Sequence, residues 1–296
     1  MRRLLILTAV GAGVVAGAAA VLLQPADPPA RSLPGLEGDV ARGAYVARLS
    51  GCIACHTDAA GGGAPLAGGV RIETEFGVFV SPNITPHPED GIGAWSQADF
   101  ARALTAGLSP EGHRYYPSFP WPFYARMTDQ DVVDLWAAVN SVPAVAGEAE
   151  THDLAFPFDQ RALLGPWTAL NGPKFAWEKP KPDDPLARGR YLVEGPAHCG
   201  ACHTPRNALG GRRTTDALGG AVEAGGGRVP SIRAEDLAAS GWTAETLVFA
   251  LRTGVTPEGD VFGGSMAEVV AEGTRFWTEA DLHAAAAYIL SLHDDQ

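Results

Sequence analysis

The chain has 296 residues, of which 46% are hydrophobic, and a formal net charge of -12 at pH 7. This length gives room for about two domains, and the hydrophobic content is sufficient for a buried core. The negative charge is spread along the chain, which argues against nucleic acid as a partner and indicates a soluble acidic surface.

The N-terminus carries a long uncharged segment. Arg2 and Arg3 precede residues 4–23, twenty residues without a charge. A helix of that length would extend about 30 Å, the thickness of a bilayer core. The segment is longer than the apolar region of most signal peptides, so residues 1–24 are predicted to be a membrane anchor in preference to a removed signal peptide. In both cases the two arginines stay cytoplasmic and the rest of the chain is exported.

Residues 39–143 show the periodicity of a small helical domain. A helix is predicted to begin near Asp39, a second to cover residues 95–104, and a third to start at Thr128. The apolar face of the first helix is formed by Val40, Tyr45, Val46 and Leu49. Residues 74–81 alternate weakly between apolar and polar side chains, which is typical of a short strand or an extended loop.

Two Pro-rich segments flank this domain. Residues 25–38 are predicted to be an extended tether, and residues 144–185 a connector. Within the connector, residues 159–170 are predicted to form a short helix that Gly165-Pro166 interrupts. Its aromatic side chains predict either packing across both domains or contact with a partner subunit. They are Phe156, Phe158, Trp167, Phe175 and Trp177.

The second half of the chain repeats the first at a constant offset of 147 positions. The matching pairs are Cys52 and Cys199, His56 and His203, Trp95 and Trp242, Leu104 and Leu251, and Gly107 and Gly254. A constant offset over such a distance indicates a duplicated domain. Residues 186–296 are therefore predicted to form a second domain with the fold of residues 39–143.

Each repeat contains one Cys-x-x-Cys-His motif, Cys52–His56 and Cys199–His203. This motif is the attachment signature of c-type haem. Cysteines three positions apart lie near one another on a helical turn, so their thiols can add to the two vinyl groups of one porphyrin. The histidine then presents a ring nitrogen to the iron. The weaker alternative is a zinc site shared between the motifs. The motifs use all four cysteines, which leaves none for a disulfide framework.

The chain also offers a second axial ligand for one iron. Met266 follows Gly263-Gly264 and stands 63 positions after His203. A loop methionine at this place is predicted to bind the second iron through its thioether, and His/Met ligation raises the reduction potential.

At the same spacing after His56 stands Phe119, which cannot bind iron. Several alternatives stay open for the distal side of the first haem. The position is filled by a nearby side chain, or it is open or holds water behind an aromatic wall. The candidate side chains are His113, Tyr115, Tyr116 and Met127.

These features resemble those of diheme c-type cytochromes, relatives of the cytochrome c subunits of bacterial membrane-bound alcohol and aldehyde dehydrogenases. The resemblance rests on both Cys-x-x-Cys-His motifs, the Trp95-Ser96 helix start, the loop over residues 116–122 and residues 263–270. It covers residues 39–296. Such subunits usually have a third haem domain, which this chain does not show, and a methionine where Phe119 stands.

The resemblance implies a mainly α fold with two tandem class-I-like cytochrome c domains. It places Cys52, Cys55 and His56 on one haem. It places Cys199, Cys202, His203 and Met266 on the other.

Two function classes follow from this sequence. The first is a diheme electron carrier on the periplasmic side of the inner membrane. It would take electrons from a periplasmic dehydrogenase and pass them to a cytochrome or a terminal oxidase of the respiratory chain. The second is an enzyme whose open first haem binds peroxide or a small sulfur or nitrogen oxyanion, with His113, Arg114 and Tyr115 as distal groups. A haem-based sensor or an assembly subunit is a third, weaker hypothesis.

Overall fold

The computed structural model describes residues 31, 33, 35–147, 150–172, 184–222 and 226–293. The predicted anchor and most of the predicted tether lie outside the described residues, as do Phe175 and Trp177 of the connector. Within the described ranges, no helix is both long enough and apolar enough to cross a bilayer.

The N-terminal half is built from five helices and a hairpin. They are α1 (Val40–Leu49), α2 (Cys52–His56), β1 (Arg71–Thr74), β2 (Gly77–Val80), α3 (Gln97–Ala106), α4 (Trp121–Tyr124) and α5 (Asp129–Val139). The predicted helices near Asp39, over residues 95–104 and at Thr128 are confirmed as α1, α3 and α5. Asp39 and Thr128 cap their helices by accepting hydrogen bonds from main-chain N–H groups. Residues 74–81 contain the strand β2.

The connector adds a strand and a helix. The strand β3 (Asp153–Leu154) extends the hairpin to an antiparallel sheet in the order β1-β2-β3. A 3-10 turn over Arg161–Leu163 continues into α6 (Leu164–Asn171). The prediction that Gly165-Pro166 interrupts this helix is wrong. Pro166 lies in the first turn of α6, where a main-chain N–H has no helical partner to lose.

The C-terminal half follows the same plan. Its elements are α7 (Pro185–Glu194), α8 (Gly200–His203), β4 (Ala221–Val222), β5 (Arg228–Val229), α9 (Ala234–Ala239), α10 (Ala244–Thr253), α11 (Gly264–Glu272) and α12 (Glu279–Ile289). Two further 3-10 turns cover Thr214–Asp216 and Thr274–Phe276. In sequence order and position, α7, α10 and α12 correspond to α1, α3 and α5.

The buried apolar side chains form two main groups. The N-terminal cluster joins α1, α3 and α5, and contains Val46, Phe100, Leu104, Met127, Val132 and Leu135. The C-terminal cluster joins α7, α10 and α12, and contains Tyr191, Leu192, Leu247, Leu251, Leu282 and Ile289. Leu49 of α1 belongs to the C-terminal cluster, so the two halves share part of their core. The mainly helical class is confirmed, and the domain limits stay a prediction.

In each half the first and last helices cross at a glycine. A Cβ atom on Gly43 would lie 1.8 Å from the carbonyl oxygen of Asp134, and one on Gly189 would lie 2.0 Å from that of Ala284. No larger residue fits at either crossing. The predicted packing face of α1 is wrong for Val40, which is 47% exposed. Val40 lies at the first position of the helix, at the edge of the face centred on Gly43.

Candidate functional site

Both Cys-x-x-Cys-His motifs form one short helical turn. The first motif is α2, and Gly51 before it has a φ of 67°, in the left-handed region that favours glycine. In the second motif Cys199 stands at the N-cap of α8, and His203 is the last helical residue. Residues three apart on a helical turn share one face. The structure therefore holds the paired cysteines of each motif as addition to one porphyrin requires.

The two motif histidines make the same main-chain contact. The Nδ1 atom of His56 lies 2.8 Å from the carbonyl oxygen of Pro82, and Nδ1 of His203 lies 2.8 Å from that of Pro230. A carbonyl oxygen only accepts hydrogen bonds, so Nδ1 carries the proton in both rings and donates it. The Nε2 lone pair of each ring is left for a metal, as is typical of histidine ligands.

Burial controls the protonation of the groups in these motifs. It lowers the pKa of His56, and the contact with Pro82 offsets only part of that effect. The imidazole is therefore neutral near pH 7, the form that binds metals. Burial also raises the pKa of Cys52 to about 12 and that of Cys199 to about 12. Such thiols stay protonated, which makes them slow to react with soluble oxidants.

The donor set fits c-type haem and does not fit zinc. A structural zinc ion takes about four Cys, His or acidic ligands at one point. In the part of the chain that the structure describes, no three such side chains come together. Each motif instead offers two thiols and one imidazole with a free Nε2. These are the groups that bind the porphyrin vinyls and the iron.

The two motifs lie close together. Burial, then the charge of Glu268 and then Cys202 raise the pKa of Cys55 to about 11. His198 immediately precedes Cys199 and approaches the first motif. A Cβ atom on Gly51 would lie 3.5 Å from its Cε1 atom.

We call this meeting place the seam and define it by Gly51, Phe123, Tyr124 and His198. The hydroxyl of Tyr124 donates to the carbonyl oxygen of Ser50 at 2.5 Å. The ring of His198 lies 5.6 Å from that of Tyr124 and 6.1 Å from that of Phe123. These residues join α4 of the N-terminal half to the motif of the C-terminal half. None of these four residues was predicted from the sequence, where the only signal was the position of His198 directly before Cys199.

Met266 lies in the first turn of α11, and not in a loop as predicted. Gly264 has a φ of 55° at the start of this helix, and the side chain of Met266 packs partly buried against the C-terminal cluster. The glycine pair before it therefore serves as the helix start. The role of Met266 as a ligand of the second iron stays a prediction.

Phe119 is part of an aromatic row beside the first motif. Its ring lies 5.7 Å from Tyr115 and 5.7 Å from Tyr124, nearly edge-on in both cases. Phe119 and Cys52 both pack against the N-terminal cluster. An aromatic wall therefore stands next to the place of the first haem.

The four other candidates for the first iron lie in different environments. His113 is exposed at a turn, where its main-chain N–H bonds to Ser109 Oγ at 3.1 Å. Tyr116 packs with Phe79 in a separate small cluster. Burial raises the pKa of Tyr115 to about 12, which favours the neutral phenol over a phenolate ligand. The fourth candidate, Met127, is 2% exposed and lies in the N-terminal cluster.

Comparison with known proteins agrees with these motifs. Residues 40–142 match the Cytochrome c family. The chain is 44% identical to a protein of Cereibacter sphaeroides named diheme cytochrome c-type, over 93% of this chain and 94% of that protein. A c-type cytochrome carries covalently bound haem.

Subunits of larger complexes are also similar to the chain. It is 41% identical to the cytochrome c subunit of a quinone alcohol dehydrogenase of Gluconobacter oxydans, over 86% of this chain and 55% of that subunit. It is 37% identical to the gluconate 2-dehydrogenase cytochrome c subunit of Pantoea cypripedii, over 86% of this chain and 59% of that subunit. The chain thus spans little more than half the length of these subunits. Because the similarity to the Cereibacter protein extends over almost the whole of both chains, this chain belongs to the diheme c-type cytochrome family.

Proposed function

We propose that this chain is a diheme electron-transfer protein. One haem is attached to Cys52 and Cys55, with His56 as its proximal ligand. The other is attached to Cys199 and Cys202, with His203 as proximal and Met266 as distal ligand. The observation that carries the proposal is the matched pair of attachment turns, each with its histidine Nδ1 bonded to a proline carbonyl. A protein that passes electrons between two haems needs two such sites close together, and the seam joins them.

The chain contributes position and environment, because a bound haem supplies the one-electron iron couple. The bonds to Pro82 and Pro230 fix the ring orientation of His56 and His203. The two clusters provide apolar surroundings, which tune a haem potential through burial. The seam packs the two attachment turns against one another, which would keep the two haems close together.

We further propose a dehydrogenase as electron donor and a cytochrome or terminal oxidase as acceptor. Support for the donor comes from the relatives, which are named as cytochrome c subunits of alcohol and gluconate dehydrogenases. The proposed location is the periplasmic side of the inner membrane, with residues 1–24 as an anchor. It rests on the uncharged run over residues 4–23 that follows Arg2 and Arg3.

An enzymatic role is the second candidate, because Phe119 stands where a distal methionine is expected. A cavity of about 250 Å³ is lined by Arg161 and by His113 and Arg114, which shortly precede Phe119 in the sequence. Its cationic lining suits a small anion. In this alternative the first iron has an open position and takes peroxide or a small sulfur or nitrogen oxyanion.

One spectroscopic experiment separates the two candidates. The ferric EPR spectrum of the purified protein is recorded, and carbon monoxide is then added to the reduced protein. Electron transfer alone predicts two low-spin signals and no spectral change with carbon monoxide. A high-spin signal, with carbon monoxide binding to half of the haem, would contradict it and favour the enzyme.

A further inference from the structure

The charged side chains beside the two attachment turns have opposite signs. The first motif, Cys52–His56, is followed by Thr57-Asp58. The second motif, Cys199–His203, is followed by Thr204-Pro205-Arg206. An anion therefore follows the first motif and a cation follows the second. Because the motif cysteines are the residues that bond to the porphyrin, a charge beside them acts on the haem that this motif holds.

A second carboxylate reaches the first motif from the C-terminal half. The helix α11 packs against the first attachment turn, α2. Glu272 at the end of α11 forms an ion pair of 2.7 Å with Arg48, four positions before Cys52. Glu268 stands one helical turn earlier on the same face of α11, so it also faces the first motif. In agreement with this place, burial and then the charge of Glu268 raise the pKa of Cys55 to about 11.

Arg206 lies against the second motif. It donates one hydrogen bond to the carbonyl oxygen of Ala201 at 2.9 Å and one to that of Gly210 at 2.8 Å. Ala201 is the third residue of the motif. Burial lowers the pKa of Arg206, and the charges of Cys202 and Glu75 offset part of this effect. A guanidinium loses its proton only far above pH 7, so Arg206 is a fixed cation at this turn.

Arg212 adds a second cation at the same place. Its guanidinium lies 3.9 Å from the ring centroid of Phe123. The Cε1 atom of that ring would lie 3.4 Å from a Cβ atom on Gly200, so one aromatic ring separates Arg212 from the second motif. Burial, then the charges of Arg126 and Arg206 lower the pKa of Arg212 to about 10. The side chain is therefore still protonated at pH 7.

We propose that these charges make the second haem the stronger electron acceptor, so that electrons enter this protein at the first haem and leave it from the second. Ferric haem carries one positive charge more than ferrous haem. Carboxylates beside the first motif stabilise the ferric state and lower the reduction potential of that haem, whereas guanidinium groups beside the second motif raise the potential of the other. The proposed ligand Met266 acts in the same direction, because His/Met ligation also raises a haem potential.

The internal step is the transfer of one electron from the ferrous first iron to the ferric second iron. The first iron is oxidised and the second is reduced, and no bond or proton is exchanged. This inference rests on the proposed function, because it needs a haem at each motif.

The test measures both reduction potentials of holoprotein variants by spectroelectrochemical titration at pH 7. Glu268→Gln and Arg206→Gln each remove one charge from beside an attachment turn. Glu258→Gln and Arg213→Gln are charge-matched controls in the same half of the chain. Glu258 lies in an exposed turn, and Arg213 is paired with Asp216 at 2.5 Å. Haem per chain is counted in every sample.

We expect two one-electron couples in the wild type, and the two test variants should narrow the gap between them from opposite ends. Glu268→Gln should raise the lower potential, and the higher one by less. Arg206→Gln should lower the higher potential, and the lower one by less. Each main shift should correspond to about a threefold change in the redox equilibrium of one haem, or about 28 mV for one electron. The control variants should leave both potentials unchanged.

Ionic strength distinguishes a charge effect from a structural one. Glu268 is exposed, so salt screens its field, with a Debye length of about 30 Å at 0.01 M and about 3 Å at 1 M. The shift in Glu268→Gln should therefore shrink when sodium chloride is raised across this range. Glu268→Asp and Arg206→Lys keep the charges and should stay near the wild-type potentials at every salt concentration.

Three outcomes would overturn the inference. The first is a Glu268→Gln protein that leaves the lower potential unchanged, or raises the higher one by as much. The second is an Arg206→Gln protein in which the lower potential falls more than the higher. The third is a Glu268→Gln shift that does not shrink with salt. Because Glu268 is exposed, this variant decides the matter even if Arg206→Gln does not accumulate. A single couple, or fewer than two haems, in the wild type would instead contradict the proposed function.

Discussion

Tyr45 and Tyr191 each stand two positions after the glycine of a helix crossing, Gly43 or Gly189, and each donates its hydroxyl hydrogen to an aspartate of the other half. Tyr45 bonds to Asp281 at 2.7 Å, and Tyr191 bonds to Asp131. Each hydroxyl also accepts a main-chain N–H from the threonine that caps the partner helix, at 3.1 Å for Tyr45 and 3.2 Å for Tyr191. The same contacts are therefore made in both directions between the two halves, as at the isologous interface of a symmetric dimer.

The Tyr45 hydroxyl should contribute measurably to stability. A hydrogen bond to a charged group is worth about 1.5–3 kcal/mol. We expect Tyr45→Phe to lower the free energy of unfolding by that amount in urea titrations of the holoprotein. In a double-mutant cycle, Tyr45→Phe should cost little in an Asp281→Asn background. Equal costs in both backgrounds would show that the hydroxyl does not act through Asp281.

Stability should also depend on pH through Asp281. Burial alone would raise its pKa, but hydrogen bonds from Arg188 and Tyr45 and the charge of Arg188 hold the pKa of Asp281 below its usual value. A carboxyl whose pKa is lower in the folded state stabilises the fold fully above its unfolded pKa of about 3.9. That stabilisation is lost as pH falls through the folded pKa.

Asp281→Asn should therefore be less stable than the wild type at pH 7, and the difference should shrink as pH falls below about 4. Urea unfolding at several pH values between 7 and 3 measures it. A difference that is independent of pH would mean that the ionised carboxylate contributes nothing.

Two glycines that end helices allow the cost of backbone strain to be distinguished from the cost of overpacking. Gly107 ends α3 with a φ of 66°, and Gly254 ends α10 with a φ of 80°. A Cβ atom would lie 2.7 Å from the Trp121 ring at Gly107, but 3.8 Å from Val270 at Gly254.

Gly254→Ala should cost about 1–2 kcal/mol from the left-handed conformation alone. Gly107→Ala should cost about 1–3 kcal/mol more, because the methyl group overpacks against Trp121. Thermal unfolding of both variants gives the comparison. A smaller loss for Gly107→Ala would contradict the packing seen here.

The ligand role of Met266 has a direct spectroscopic test. Met266→Ala should leave the second iron without its distal ligand, so that half of the reduced haem binds carbon monoxide and the potential of that haem falls. Val269→Ala, in the same helix and with a side chain 43% exposed in the wild type, serves as control and should leave both properties unchanged. A wild-type spectrum in Met266→Ala would assign the ligand to another residue.

The helices could be predicted because their signals are local. Asp39, Ser96 and Thr128 mark helix starts, and the apolar periodicity after them gives the packing faces. The prediction at Pro166 failed because proline breaks a helix interior but suits the first turn, and the sequence did not locate that turn. The β1-β2 hairpin was only partly predicted, and its third strand was not, because β2 pairs with β3 through Val78 and Asp153, which lie far apart in the chain.

The site residues that could be predicted are those that stand close together in the sequence. The motifs Cys52–His56 and Cys199–His203 are of this kind. The contacts of His56 with Pro82 and of His198 with Tyr124 join residues far apart in the chain. No short-range sequence pattern indicates these contacts.

The most direct test of the diheme proposal is to count haem and electrons in the same samples. Coulometric titration of the holoprotein should transfer two electrons per chain in two one-electron steps. The variants Cys52→Ala/Cys55→Ala and Cys199→Ala/Cys202→Ala should each retain one haem and take up one electron. A wild-type chain that accepts one electron, or a double variant that still accepts two, would contradict the account.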